Sequence, residues 1–206
     1  MPSPSHRESN TPHQDAGTDS PSPRRLRLAR SVIALALVCA SCESLAQPMP
    51  ANISLEYAVK ATYLYKLAPF VNWPPQTFTA ANVPFRICVV GEDPFDDYLE
   101  KAVAGHSFGT HPFEVRRMQT LAPDAQCQIV FVSHLPTQNI GDVMASVDGK
   151  PVLTVTDSTA PGGSGSIMQF VIENGRVRFD IDTGAAARNH LTISSKLLNL
   201  ALAVNG

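Results

Sequence analysis

The chain of 206 residues lacks the groupings that catalysis requires. Residues 162–166 do not spell the Gly-x-Ser-x-Gly turn that lifts a nucleophilic serine out of a sheet. No Gly-rich loop follows a strand to cradle phosphates. His106, His111, His134 and His190 are scattered, with no pair at the helical spacing that lets two imidazoles share a metal. The sequence therefore offers no catalytic residue, no cofactor site and no metal site, and an enzyme is not expected. It also lacks a basic stripe or a cluster of exposed aromatics, which argues against nucleic-acid binding. No apolar run approaches the roughly 20 residues that a membrane-spanning helix needs. No internal repeat of solenoid length is present.

What is present begins with an export signature. Arg24, Arg25, Arg27 and Arg30 form a basic segment, residues 31–40 (SVIALALVCA) are apolar, and Ser44-Leu45-Ala46 places small residues where signal peptidase reads. Residues 1–46 are expected to be a disordered leader plus a secretory signal, cleaved near Ala46, and residues 47–206 a single domain in the periplasm. Two other readings attach to this segment. Cys42 is a candidate lipid anchor, but Cys39 stands where a lipobox has Leu. Arg24-Arg25 is a candidate twin-arginine signal, but Leu-Arg-Leu follows it poorly. The mature segment carries 11 Lys and Arg against 14 Asp and Glu, a formal charge of −3. An exported protein has no supply of ATP or GTP.

Cysteine is scarce. Of four in the chain, Cys39 and Cys42 leave with the signal, so Cys88 and Cys127 remain. An even pair in an oxidising compartment reads as a disulfide, and the alternative is two buried free thiols.

Along the mature segment, Ser54 is a candidate N-cap for a helix from Leu55. Tyr57, Ala61, Leu64, Ala68 and Val71 form one apolar stripe, and Pro69 is expected to kink or end the helix. Tyr63, Tyr65, Lys66 and Phe70 lie off that stripe and are candidate partner-binding or self-association residues, because aromatics exposed on one helix face are enriched at interfaces. Residues 85–90 (FRICVV), 128–133 (QIVFVS) and 152–156 (VLTVT) read as strands buried on both faces, the habit of parallel sheets. Asp93 caps an expected helix to about Ala104, residues 113–118 suggest a further strand, and residues 136–148 suggest a helix. Residues 166–172 and 177–181 flank Asn174-Gly175, a hairpin signal. A last helix is expected over roughly 185–204. The expected fold is a three-layer α/β/α sandwich, its sheet mostly parallel, with a C-terminal antiparallel hairpin and a C-terminal helix. Glu92 and Asp93, just past the first buried strand, sit where receiver domains keep metal-binding carboxylates. No acceptor Asp follows the second strand and no Lys follows Asp157 in the third, so a loop residue and a helix cap are the stronger reading.

Six stretches in order carry a resemblance: residues 57–74 (YAVKATYLYKLAPFVNWP), 87–95 (ICVVGEDPF), 127–132 (CQIVFV), 152–157 (VLTVTD), 177–181 (VRFDI) and 191–198 (LTISSKLL). Together they resemble the YfiR-like family of periplasmic proteins over about residues 54–204. The resemblance implies a non-enzymatic repressor that binds the periplasmic sensor domain of an inner-membrane diguanylate cyclase. It also implies that an outer-membrane OmpA-like lipoprotein can sequester the repressor, and that the protein is a homodimer. Cyclic di-GMP and biofilm formation would then fall when the repressor is engaged. Cys88 and Cys127 match the family's cysteine positions. A second pair found in some members is absent, since Gly162, Gly163 and Gln169 occupy that region. The alternative function is a periplasmic small-molecule binding module.

Overall fold

Near-continuous apolar runs build the middle of the sheet. The computed structural model describes residues 51–157 and 165–206. The expected leader and signal, and residues 162–164 of the Gly-rich loop, lie outside the described residues. The chain forms α1 (Ala51–Leu67), β1 (Val71–Asn72), β2 (Phe85–Val90), α2 (Tyr98–Val103), β3 (Ser107–Phe108), β4 (His111–Met118), β5 (Ile129–Val132) and α3 (Ile140–Val147). There follow β6 (Leu153–Asp157), β7 (Met168–Glu173), β8 (Arg176–Asp182), α4 (Thr183–Arg188), β9 (Thr192–Ile193), α5 (Ser195–Leu198) and β10 (Val204–Asn205).

The eight-stranded sheet has the order β10-β8-β7-β6-β5-β2-β4-β3. From β4 to β7 all neighbours run parallel. The hairpin turns β8 antiparallel on β7, with Asn174 and Gly175 at φ 50° and 71°. Two positive φ values in a row are what a two-residue hairpin loop of the favoured twist requires. Every residue of β5 and β6 is buried, and in β2 only Arg86 is not fully so. Side chains alternate between the faces. Ile87, Val89, Phe131 and Val155 meet α1 and α2, whereas Cys88, Val90, Val130 and Val132 meet α3. This is a mixed α/β sheet with helices on both faces, as expected.

Three local expectations are corrected. α1 begins at Ala51, so Ser54 lies within the helix instead of capping it. Asp93 does not open a long helix: its Oδ1 accepts from the Phe95 N–H, Asp96 adopts φ 50°, and α2 starts only at Tyr98. A left-handed residue cannot continue a right-handed helix. The expected C-terminal helix is also broken. Asp182 caps the short α4, His190 at φ 56° ends it, Thr192 and Ile193 pair with β1, and Ser194 caps α5. Leu191, Ile193 and Leu197 are buried as their apolar character requires, but from three separate pieces of backbone.

Cys88 on β2 and Cys127 at the threshold of β5 are joined by a disulfide, with Cα atoms 5.9 Å apart. The bridge lies in the smaller core, beneath α3. Closing the loop of 39 residues contributes about 3–4 kcal/mol in the chain-entropy picture. Replacing both cysteines by Ala is accordingly expected to lower the free energy of unfolding by about 3 kcal/mol. Denaturant titration measures the loss. Intact mass of non-reduced protein should show the bridge, and two free thiols in exported material would contradict it.

Candidate functional site: a clamped helix and its aromatic flank

The helix that carries Tyr63, Tyr65 and Lys66, and leads into the turn bearing Phe70, is fixed by a polar cluster inside the apolar stripe. Lys60 stands three residues after Tyr57 and four before Leu64, so it faces the core with them, and it is wholly buried. Asp157, the last residue of β6, is wholly buried opposite it. Lys60 Nζ donates to Asp157 Oδ2 at 3.1 Å, and the Tyr57 hydroxyl donates to the same oxygen at 3.0 Å. Glu56, one helical turn before Lys60, forms a second ion pair with the ammonium from the solvent side. The ammonium also lies 4.4 Å from the centre of the Tyr57 ring. Each buried charge is thus matched by an opposite charge and by directional hydrogen bonds, the condition for tolerating charge in a core.

Sequence reasoning did not find Lys60, although the signal was there. A lysine at a core position of an amphipathic helix and an aspartate ending a strand buried on both faces each demand a partner.

With α1 fixed, its other residues take definite places. Tyr65, Lys66 and Phe70 come together. Along with His106, Phe108 and Phe113 they line a groove of about 380 Å³ where β3 and β4 end the sheet. The Tyr65 ring stacks on His106 at 4.8 Å and meets Phe113 edge-on at 5.9 Å. Lys66 is exposed, with its ammonium 5.9 Å from the Tyr65 ring. Tyr63 is not in this groove. Two residues along a helix are about 200° apart, so Tyr63 lies toward the hairpin and packs on Phe170 and Phe179. The groove is apolar, aromatic and edged by one cation, a surface suited to binding and without a nucleophile–base pair.

The carboxyl ends of the parallel strands are arranged differently. Strand order reverses between β2 and β5, the position where open α/β sheets form a ligand crevice. Here Gly91, at φ 94°, brings the two loops into contact, and Glu92 N–H donates to His134 O at 2.9 Å. A Cβ at Gly91 would stand 2.2 Å from that oxygen. The crevice is closed by backbone. Asp93 and Glu100 both hold Arg117 of β4, and that guanidinium keeps the Glu100 carboxyl below the usual carboxylate range. Glu92 is exposed. Among the described residues, no three His, Cys, Asp or Glu side chains are grouped to hold a metal ion. A separate cavity of about 320 Å³ opens at the amino ends of the strands, beside Cys127, with Arg86, Gln126, Leu121, Val147 and Lys150 in its lining.

The buried pair gives a direct test of the clamp. Lys60→Met alone removes the ammonium from beside the buried Asp157 carboxylate, and is expected to cost about 3–5 kcal/mol. The double variant Lys60→Met with Asp157→Leu removes both charges and should recover most of that loss. Urea unfolding of the three proteins measures it. A single variant as stable as the parent would show that the pair does not hold the helix.

Comparison with known proteins places these features. No curated protein matches the chain. Among solved structures, it is similar to an ABC domain from Streptococcus pneumonia in complex with L-Trp, at 13% identity and a TM-score of 0.46. That match covers 72% of this chain and 62% of the other, so the chain spans less than two thirds of that protein's length. A family model described as YfiR/HmsC-like matches residues 57–202, from Tyr57 of the Lys60 cluster to the segment that edges β8. The chain belongs to the YfiR/HmsC-like family.

Proposed function

We propose that this protein is a periplasmic repressor that binds the periplasmic sensor domain of an inner-membrane diguanylate cyclase and holds it inactive. Membership of the YfiR/HmsC-like family implies a periplasmic regulator of diguanylate-cyclase signalling, and the match over residues 57–202 is the observation that carries this reading. The regulator acts by binding and not by turnover. Residues 1–46 act as the leader and cleaved signal, and 47–206 as the working domain. An outer-membrane OmpA-like lipoprotein is the counterpart that would sequester it. Deletion of the gene is expected to raise cyclic di-GMP and biofilm. Full-length complementation should reverse both, and a complement lacking residues 1–46 should not. Repression by that truncated form would sink the compartment and the mechanism together.

The groove formed by Tyr65, Lys66 and Phe70 is the surface we assign to the sensor domain. Its aromatic walls supply large contact area at low entropic cost, and its lysine supplies a charge at the rim. Tyr63, packed on Phe170 and Phe179, serves the interior of the same helix contact. Tyr65→Ala and Phe70→Ala should therefore reduce recovery of the cyclase in a periplasmic pull-down while the melting temperature changes little. Tyr63→Ala should do the reverse. If Tyr65→Ala lowers the melting temperature sharply and recovery is unchanged, the groove is core and not interface.

A second reading, a small-molecule binding module, is favoured by the cavity beside Cys127. Its volume lies at the lower end of the range for ligand sites. Gene neighbours separate the two: a membrane cyclase and an OmpA-like lipoprotein accompany a repressor, and permease genes accompany a solute-binding protein.

A further inference from the structure

The run QIVFVS at residues 128–133 opens on a polar residue that is nearly as deeply buried as the apolar ones behind it, Gln128 being 6% exposed. Three hydrogen bonds fix it. Its backbone N–H donates to Arg86 O at 3.0 Å, and its backbone carbonyl accepts from the Leu153 N–H at 2.8 Å. Its side-chain Oε1 accepts from the Arg86 N–H at 2.7 Å. A backbone N–H can only donate, so the side-chain atom it meets is the amide oxygen and the other is the amide nitrogen. That nitrogen carries two N–H groups, and neither meets an acceptor among the described residues.

Gln128 lines the cavity of about 320 Å³ beside Cys127. Arg86 lines it too, with only 13% of its side chain exposed. Its Nε donates to Glu114 Oε2 at 3.2 Å and its Nη1 to Gln126 Oε1 at 3.0 Å, while its Nη2 meets no acceptor among the described residues. Lys150, whose ammonium donates to Pro123 O at 2.9 Å, is the second cation of the lining, and the exposed Asp124 is its one carboxylate. The Thr77 hydroxyl, in the same lining, is buried without a partner among the described residues. Buried polar groups in folded proteins are met by partners, and a donor left without one is costly. Here the unspent groups include the amide nitrogen of a glutamine and one arm of a guanidinium, both of which can only donate. The ligand they fit is an acceptor, and the surplus of positive charge favours an anion.

The rest of the lining specifies the body of that anion. Leu121, Val130, Val147 and Val152 are buried members of the smaller core that also line the cavity. No aromatic ring lines it, in contrast to the groove beside Tyr65, so its walls suit an aliphatic tail and offer no stacking surface. At about 30 Å³ for each water-sized unit, the volume holds about ten non-hydrogen atoms. We propose that this cavity binds an aliphatic monocarboxylate of medium chain length. Its carboxylate accepts charge-assisted hydrogen bonds from Arg86 Nη2 and Gln128 Nε2, near the rim where Lys150 adds a further charge. Its tail lies against Leu121, Val130 and Val147, where water exclusion supplies affinity. The inference rests on the small-molecule reading of this protein and names the ligand class. It is independent of the surface assigned to the sensor domain.

The test is titration calorimetry of the protein expressed from the complete coding sequence, with octanoate and octan-1-ol as probes. The two share one tail and differ in the charged head. Octanoate should bind at least about tenfold more tightly than the alcohol. Gln128→Glu keeps an oxygen for the Arg86 N–H and replaces the amide nitrogen by a second carboxylate oxygen. It should weaken octanoate by about tenfold or more and leave octan-1-ol unchanged, with thermal melting as the control for folding. Lys150→Glu, at the rim, should weaken octanoate in the same sense, and it decides alone should Gln128→Glu fail to fold. A parent that binds octan-1-ol as well as or better than octanoate overturns the carboxylate class and leaves the small-molecule reading standing. A parent that binds neither overturns both. Octanoate affinity unchanged in Gln128→Glu and Lys150→Glu places the probe elsewhere on the protein and overturns the site.

Discussion

The contact between Lys60 and Asp157 fixes how α1 lies on the sheet. Apolar contacts are non-directional, so an apolar stripe tolerates small slides and rotations of a helix. A buried ammonium does not. Its removal from water carries an effective penalty of several kcal/mol, offset only where the carboxylate and the Tyr57 hydroxyl stand. The pair therefore sets both the height and the phase of α1 over β6. Tyr57 then meets Phe95 edge-on at 5.5 Å, and Leu64 and Leu67 are buried. Tyr65 and Lys66 are turned to the sheet edge by the same constraint. The surface assigned to partner recognition is positioned by a charge that never reaches solvent.

Closure of the crevice at the carboxyl ends narrows what the fold can do. Many doubly wound proteins hold their ligand where strand order reverses. Here Gly91 gives that space to a backbone contact with His134, and only a residue without a Cβ permits so close an approach. The recognition surface we propose lies instead on the outside of the molecule, on the flank of α1. Phe113 of β4, paired with β2, forms one wall of that groove. A protein that regulates by contact has reason to keep its outer surfaces available and its crevice shut.

The sheet was legible in the sequence because its central strands are buried on both faces, and unbroken apolar runs such as residues 85–90 have few other uses. The hairpin was legible from Asn174-Gly175, and the stripe of α1 from its spacing. The helices beginning near Asp93 and Ala185 were read too long. Periodicity reports which residues are apolar and not whether the backbone between them is continuous, and Asp96 and His190 take left-handed conformations that their residue types only weakly advertise. Of the candidate partner-binding residues, Tyr65, Lys66 and Phe70 line one groove. Tyr63 lies apart from them, because "off the stripe" covers two flanks of a helix, and only the positions of Phe170 and Phe179 choose between them. Lys60 escaped because a single sequence does not name its partner, which lies 97 residues away.

The disulfide belongs to this division of labour between the two faces. One face carries the larger core, with α1, α2 and the aromatic rings. The other carries a smaller cluster of Cys, Val and Leu beneath α3. Burial scales with the number and size of the side chains enclosed, so the smaller layer gains less from water exclusion. The bridge lies in that layer, where a covalent constraint adds most to what packing supplies. Cys88 shares β2 with Ile87 and Val89, which face the other way into the core under α1. A loosening on the α3 side would reach α1 only through the strand backbone, which is held on both sides by β4 and β5. Helix α1 is thereby insulated from the face that carries the cysteine pair, and its position answers first to the Lys60 clamp.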